Sequence, residues 1–205
     1  MKANTNHLFI PMKSENLIAV KYGGSLMDNK LSEKKIFKHI NEFAKNNSVI
    51  VVHGGGKKIT DALAKSKIET KFVNGLRYTD AKSIEIVEKV LEKTQENIAK
   101  KLENAVTIKK AVVCSRLKEL GFVGKFISAN FREIKKLLAG DKIVVLSSVG
   151  KTKNGQVLNV NADEVASGIA SHLKAAKLIF FTDVQGVLDN NKKTIPIIKV
   201  ANVEN

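Results

Sequence analysis

The apolar run Val49-Ile50-Val51-Val52 passes through His53 into three consecutive glycines, Gly54, Gly55 and Gly56, and a helical pattern begins at Lys57. A strand that is apolar at every position has no face to turn to water. It demands cover on both sides, the situation of a parallel strand inside an α/β sheet. Strand, bare-backbone loop and helix N-terminus in that order also make a seat for an anion, although the same turn occurs as a plain connection. A second junction of this kind follows residues 17–21, which run into Tyr22-Gly23-Gly24-Ser25 before a helical pattern starts near Ser32. Two such junctions in one short chain suggest two anionic groups held close together, as phosphoryl transfer requires.

The rest of the chain keeps the alternation. Ile59, Leu63, Ala64 and Ile68 give a short helix, and residues 72–80 form a loop or hairpin. Thr79 or Asp80 then caps a long helix with Ile84, Val87, Leu91, Thr94, Ile98 and Leu102 on one face. Glu85 with Lys89, and Glu96 with Lys100, fall at favourable i,i+4 spacing. Residues 111–115 read as a strand, 122–127 as an edge strand, 131–139 as a helix stopped by Gly140, and 143–147 as a buried strand. Asn154-Gly155 marks a hairpin. Residues 157–164 end a strand in polar residues and open a helix carrying Ala166, Ile169, Ala170 and Leu173; 178–187 give a further buried strand emptying into a Thr-Asp turn and Gly186. The pattern predicts an α/β fold, an open and mostly parallel sheet with helices on both faces.

Composition narrows the function classes. The 205 residues, 43% hydrophobic, suit one domain, or one domain plus a partial lobe, and no stretch reaches the length of a membrane-spanning helix. The opening residues lack a secretory pattern, and the lone Cys114 lies in an apolar run as a buried, inert thiol, so a cytoplasmic protein is expected. The net charge of +15 comes from 35 basic and 20 acidic residues, yet arginine stands only at 77, 116 and 132 and tryptophan is absent. A nucleic-acid reader would add arginine forks and interleaved aromatics. The positive field suits anionic small molecules or an acidic protein partner instead.

Several side chains can carry chemistry. Lys21 ends the first strand beside Gly23, where its ammonium can reach a phosphoryl group in flight; the plain alternative is a surface lysine. Arg77 in a Gly-Leu-Arg loop can grip a carboxylate through two hydrogen bonds or make a loop salt bridge. Asn159 and Asp163 are spaced so that a strand-end amide and a helix-start carboxylate face one crevice, with Asn161 or Asp163 also able to cap the helix. Asp183 and Gly186 form a turn at a strand's C-terminal edge, the usual rim for a nucleotide. His53 reads as a packed, hydrogen-bonded residue, and His7, His39 and His172 as surface positions.

The segments Val20-Lys21-Tyr22-Gly23-Gly24-Ser25, His53-Gly54-Gly55-Gly56, Asn74-Gly75-Leu76-Arg77-Tyr78-Thr79-Asp80, Leu158-Asn159-Val160-Asn161-Ala162-Asp163 and Phe181-Thr182-Asp183-Val184-Gln185-Gly186-Val187-Leu188 occur in the order seen in the amino acid kinase family. They most resemble the branch that phosphorylates the side-chain carboxylate of N-acetyl-L-glutamate for arginine biosynthesis. The resemblance implies an α/β/α sandwich over residues 17–205, with an acceptor-binding half of about 17–160 and a partial nucleotide-binding half of about 161–205, behind an N-terminal extension of residues 1–16. It implies Lys21 and Asp163 as catalytic residues, Gly54, Gly55, Arg77 and Asn159 as substrate contacts, and Gly23, Gly24, Thr182, Asp183, Gly186 and Leu188 as nucleotide contacts. ATP would be co-substrate with Mg²⁺ held by phosphate oxygens and water rather than by a protein cage, and the long helix would serve a homodimer. Family members continue beyond the point matching Asn205 with the rest of the nucleotide lobe and a second catalytic lysine, for which no counterpart is assigned, and a glycine-rich segment after their central strand has no match here. Where they carry Gly-x-Val-Asn-Lys in the long helix, this chain has Glu92-Lys93-Thr94-Gln95-Glu96, which removes the expected match for one substrate-side contact. Two other readings stay open: a kinase for aminoadipate or glutamate tethered to an acidic carrier protein, and a non-catalytic member.

Overall fold

The computed structural model describes residues 16–23, 26–27, 29–184 and 186–198. Five parallel strands form the central sheet: β1 (Leu17–Tyr22), β2 (Ser48–His53), β5 (Ala105–Thr107), β8 (Ile143–Ser147) and β11 (Lys177–Phe181), in the order β11-β1-β2-β8-β5. Alternate residues feed opposite faces. Ile18, Val20, Tyr22, Val49, Val51, Ile143 and Val145 pack against Ile36, Phe37 and Ile40 of α1 (Lys30–Asn46) and Ile98 of α3 (Ala81–Ala99). Leu17, Ala19, Ile50, Val52, Val144 and Leu146 pack against α4 (Phe131–Ala139) and α5 (Ala162–His172). The expected sheet covered on both faces is therefore present, and the continuous apolar run of β2 lies in its middle.

Side chains that cannot compete inside a helix start the helices here. Asn29, Asp80, Asn130 and Asn161 accept the first free backbone N–H groups of α1, α3, α4 and α5. A hairpin of β3 (Phe72–Val73) and β4 (Leu76–Arg77) turns through Asn74 at φ 49° and Gly75 at φ 77°, the paired positive φ values that suit the twist of a tight hairpin. Helix α2 (Gly56–Lys65) packs Ile59 and Leu63 on Ile84, Val87 and Leu91 of α3.

A second unit was not expected. Strands β6 (Val112–Leu117), β7 (Val123–Ala129), β9 (Val149–Lys151) and β10 (Val157–Val160) close into a small barrel in the order β10-β7-β6-β9. Its interior is tight: a Cβ on Gly150 would lie 2.8 Å, and one on Gly124 3.0 Å, from Cys114 Sγ. Strand β7 is thus not an edge, because it pairs antiparallel with β6 and parallel with β10. Conversely, the apolar run at β11 forms the sheet's outer strand and is half-exposed rather than buried. Helix α3 ends before Leu102, which packs in the same cluster from the following turn. Glu96 pairs with Lys109 at 3.0 Å, not with Lys100, since Lys109 approaches from a separate segment beside the helix.

Candidate active site

The C-terminal ends of β1 and β2 open toward the barrel, and chain order reverses beside β1, since β2 lies on one flank and β11 on the other. Crevices at such switch points are where open α/β sheets bind ligands. The join is direct: β8 passes through the single residue Ser148 into β9, Ser148 N donates to His53 O at 3.1 Å, and Val160 N donates to Ser148 O at 3.0 Å. Sheet and barrel therefore share one floor.

A cavity of about 220 Å³ sits on it, lined by Lys21, Gly54, Gly55, Arg77, Asn159 and Asp163 among others. All six residues that the resemblance marks as catalytic or substrate-binding are thus brought together. Lys21 Nζ lies 3.0 Å from Asp163 Oδ1, the lysine mostly enclosed and the carboxylate more open. Lys21 is therefore not a free surface lysine. The cap of α5 falls to Asn161, whose Oδ1 accepts from Asp163 N at 2.8 Å and Glu164 N at 3.2 Å, which leaves the Asp163 carboxylate for Lys21.

Arg77 is 9% exposed, and its guanidinium donates only to neutral acceptors, Gly56 O at 3.1 Å, Thr60 Oγ1 at 2.9 Å and Thr70 Oγ1 at 3.2 Å, with the Phe72 ring 4.8 Å beneath it. Burial pulls its pKa below the ordinary arginine value, but an arginine stays charged. Among the described residues no carboxylate pairs with it, so the loop salt bridge is absent. A buried cation without a counter-charge is costly unless an anion joins it.

The glycines divide by cause. A Cβ on Gly55 would press into Ile59 at 2.6 Å and Leu91 at 2.8 Å, so its smallness serves helix packing, and one on Gly54 would meet Ala162 at 3.2 Å at the start of α5. Gly23 N donates to Phe181 O at 3.0 Å, and a Cβ there would stand 2.9 Å from that oxygen. His53 is fully buried and its Nδ1–H donates to Gly54 O at 3.0 Å.

The nucleotide-side residues are arranged differently. Thr182, Asp183, Gly186 and Leu188 follow β11 on the outer rim and do not line this cavity; Thr182 Oγ1 donates to Asp183 Oδ1 at 3.3 Å, Gly186 has φ 146°, and Leu188 pairs with Thr194. Gly24 lies outside the described residues. Among the described residues no three His, Cys, Asp or Glu side chains gather as a metal cage. Elsewhere among the described residues, an open groove of about 540 Å³ along α1 and a cavity of about 230 Å³ at the opposite ends of the strands do not gather the motif residues. Sequence reasoning missed Ser148, Thr60 and Thr70; the polar pair Ser147-Ser148 closing an apolar strand was the one available signal.

The description "Amino acid kinase family" matches residues 16–205 of the chain. The acetylglutamate kinase of Endomicrobium trichonymphae is 39% identical over 196 residues, covering 91% of this chain and 79% of the relative. That of Clostridium acetobutylicum is 39% identical over 198 residues, covering 86% of this chain and 66% of the relative. Among solved structures, smu.665 from Streptococcus mutans UA159 superposes with a TM-score of 0.74 at 30% identity, over 85% of this chain and 75% of that one.

Proposed function

The chain belongs to the amino acid kinase family, and from that premise we propose that it transfers the γ-phosphoryl group of ATP to the side-chain carboxylate of N-acetyl-L-glutamate. One observation carries the choice of acceptor: Arg77, a buried cation with only neutral partners among the described residues, faces the same cavity as the Lys21–Asp163 pair. A substrate with two carboxylates satisfies both ends. One carboxylate sits on Arg77, and the other is presented near Lys21.

A carboxylate oxygen then attacks the γ-phosphorus as the bond to the β-bridging oxygen breaks, giving an acyl phosphate and ADP. Lys21 offsets the charge on the transferring oxygens, Asp163 holds Lys21 in place, and Asn159 orients the acylated amino end. Gly54 and Gly55 seat the reacting carboxylate, and positioning and electrostatics supply the rate. Gly23 borders the phosphates, with Thr182, Asp183, Gly186 and Leu188 beside the nucleotide. Mg²⁺ would enter with ATP, held by phosphate oxygens and water. A homodimer through α3 and a cytoplasmic setting belong to the same proposal.

Trapping the acyl phosphate as a hydroxamate tests it. Turnover should require both ATP and acetylglutamate and fall by about 10²–10³-fold in Lys21→Ala, the loss typical of one fixed electrostatic group. Arg77→Lys should raise KM for acetylglutamate by about tenfold or more, because a point charge cannot replace a fork. A folded protein with no turnover would defeat the assignment. The net charge of +15 favours one second reading, a glutamate or aminoadipate tethered to an acidic carrier protein. Turnover only with carrier-bound substrate would select it.

A further inference from the structure

We infer that Thr79 is the positioning residue that fixes how Asn159 and Arg77 face the ligand, an inference that rests on the proposed acceptor site. Thr79 is completely buried and makes no contact with solvent. Its Oγ1 donates to Arg77 O at 3.0 Å and accepts from Asn159 Nδ2 at 3.3 Å. A hydroxyl has one proton. With that proton given to a carbonyl, which can only accept, the oxygen can only receive from Asn159, so Asn159 must turn its NH₂ toward Thr79. The amide oxygen is the branch left for the cavity. One hydroxyl therefore decides which end of the Asn159 amide a ligand meets.

The backbone of Thr79 is fixed just as firmly. Thr79 N donates to Leu120 O at 3.2 Å, and Phe122 N donates to Thr79 O at 2.6 Å. Asn159 N donates to Phe122 O at 2.9 Å, so Thr79 and Asn159 hang from the same residue. Gly121 makes this approach possible, because a Cβ there would stand 2.4 Å from Thr79 O. The hairpin strand that carries Arg77 is thus clamped to the barrel strand that carries Asn159, and Thr79 is the clamp.

Thr79→Val removes the hydroxyl at nearly constant shape, Thr79→Ser keeps it, and Thr79→Ala removes it without setting a methyl against the Arg77 carbonyl, so it carries the test should the valine variant not fold. In the hydroxamate assay the hydroxyl-free variants should raise KM for acetylglutamate roughly tenfold, as expected for one lost hydrogen bond to a binding group. Their kcat and KM for ATP should move less than about threefold, and Thr79→Ser should restore KM. A substrate-independent readout separates this inference from the proposed activity: the side-chain NH₂ resonance of Asn159, assigned by its loss in Asn159→Asp. One of its protons should exchange slowly in the parent and in Thr79→Ser, and rapidly in Thr79→Val or Thr79→Ala. Equal exchange in parent and hydroxyl-free variants, or equal loss of affinity in Thr79→Ser and Thr79→Val, would overturn the inference. Failure of the parent to use acetylglutamate, with the resonance behaving as described, would count against the activity alone.

Discussion

His53 stands fully enclosed at the end of β2, giving its Nδ1 proton to Gly54 O while Nε2 has no partner among the described residues. Burial pulls its pKa down to about 4, so the ring is neutral in the folded protein across the physiological range. In the unfolded chain it returns to about 6.5. The unfolded state therefore binds the extra proton between those values, and the contribution to stability is fully present above pH 6.5 and is lost as pH falls toward 4. The difference corresponds to about 3 kcal/mol. Urea midpoints measured from pH 7.5 to 4.5 should fall more steeply in the parent than in His53→Gln, and identical slopes would refute it. The packed role of this residue was legible because an imidazole closing an all-apolar run has nowhere to go but inside. The neutral partners of Arg77 were not legible, since Thr60 and Thr70 reach it from separate segments.

Helices were easier to read than strands, because what starts and stops a helix is local. Asp80 and Asn130 cap where short polar side chains precede an apolar period, and α4 stops at Gly140. Strand pairing is not local. Ile127 and Lys125 point outward, so β7 alternates like an edge although it is paired on both sides; β11 is apolar throughout yet flanked on one side only. The three residues of β5 are too few to show a pattern. At α5 the element and the chemistry meet, because Asn161 holds the N–H groups of Asp163 and Glu164 in the first turn. Asn161→Ala should cost about 1 kcal/mol of stability. It should also lower kcat by loosening the Lys21–Asp163 pair, with thermal melting and the hydroxamate assay reading the two effects separately. Unchanged turnover in a destabilised variant would show that the cap serves the fold only.

Across the whole molecule the barrel was the feature the sequence concealed. Its closure pairs Val112 with Gly150 and Val113 with Lys151, across a separation that no local pattern reports. Cys114 lies inside, where burial pushes its thiol up to about 11. An aromatic disulfide reagent should label it only as fast as the folded protein opens, and the rate should rise in parallel with unfolding measured in urea. Prompt stoichiometric labelling of the native protein would contradict a closed barrel. The strand-to-helix corner from Asn159 to Asp163 has a further consequence. Barrel pairing fixes one end, the cap of α5 fixes the other, and the proposed acceptor contact and the lysine-holding carboxylate stand only four positions apart. That corner works as a gauge block: the distance between the proposed Asn159 contact and the carboxylate that holds Lys21 is set by the main chain rather than by side-chain rotamers.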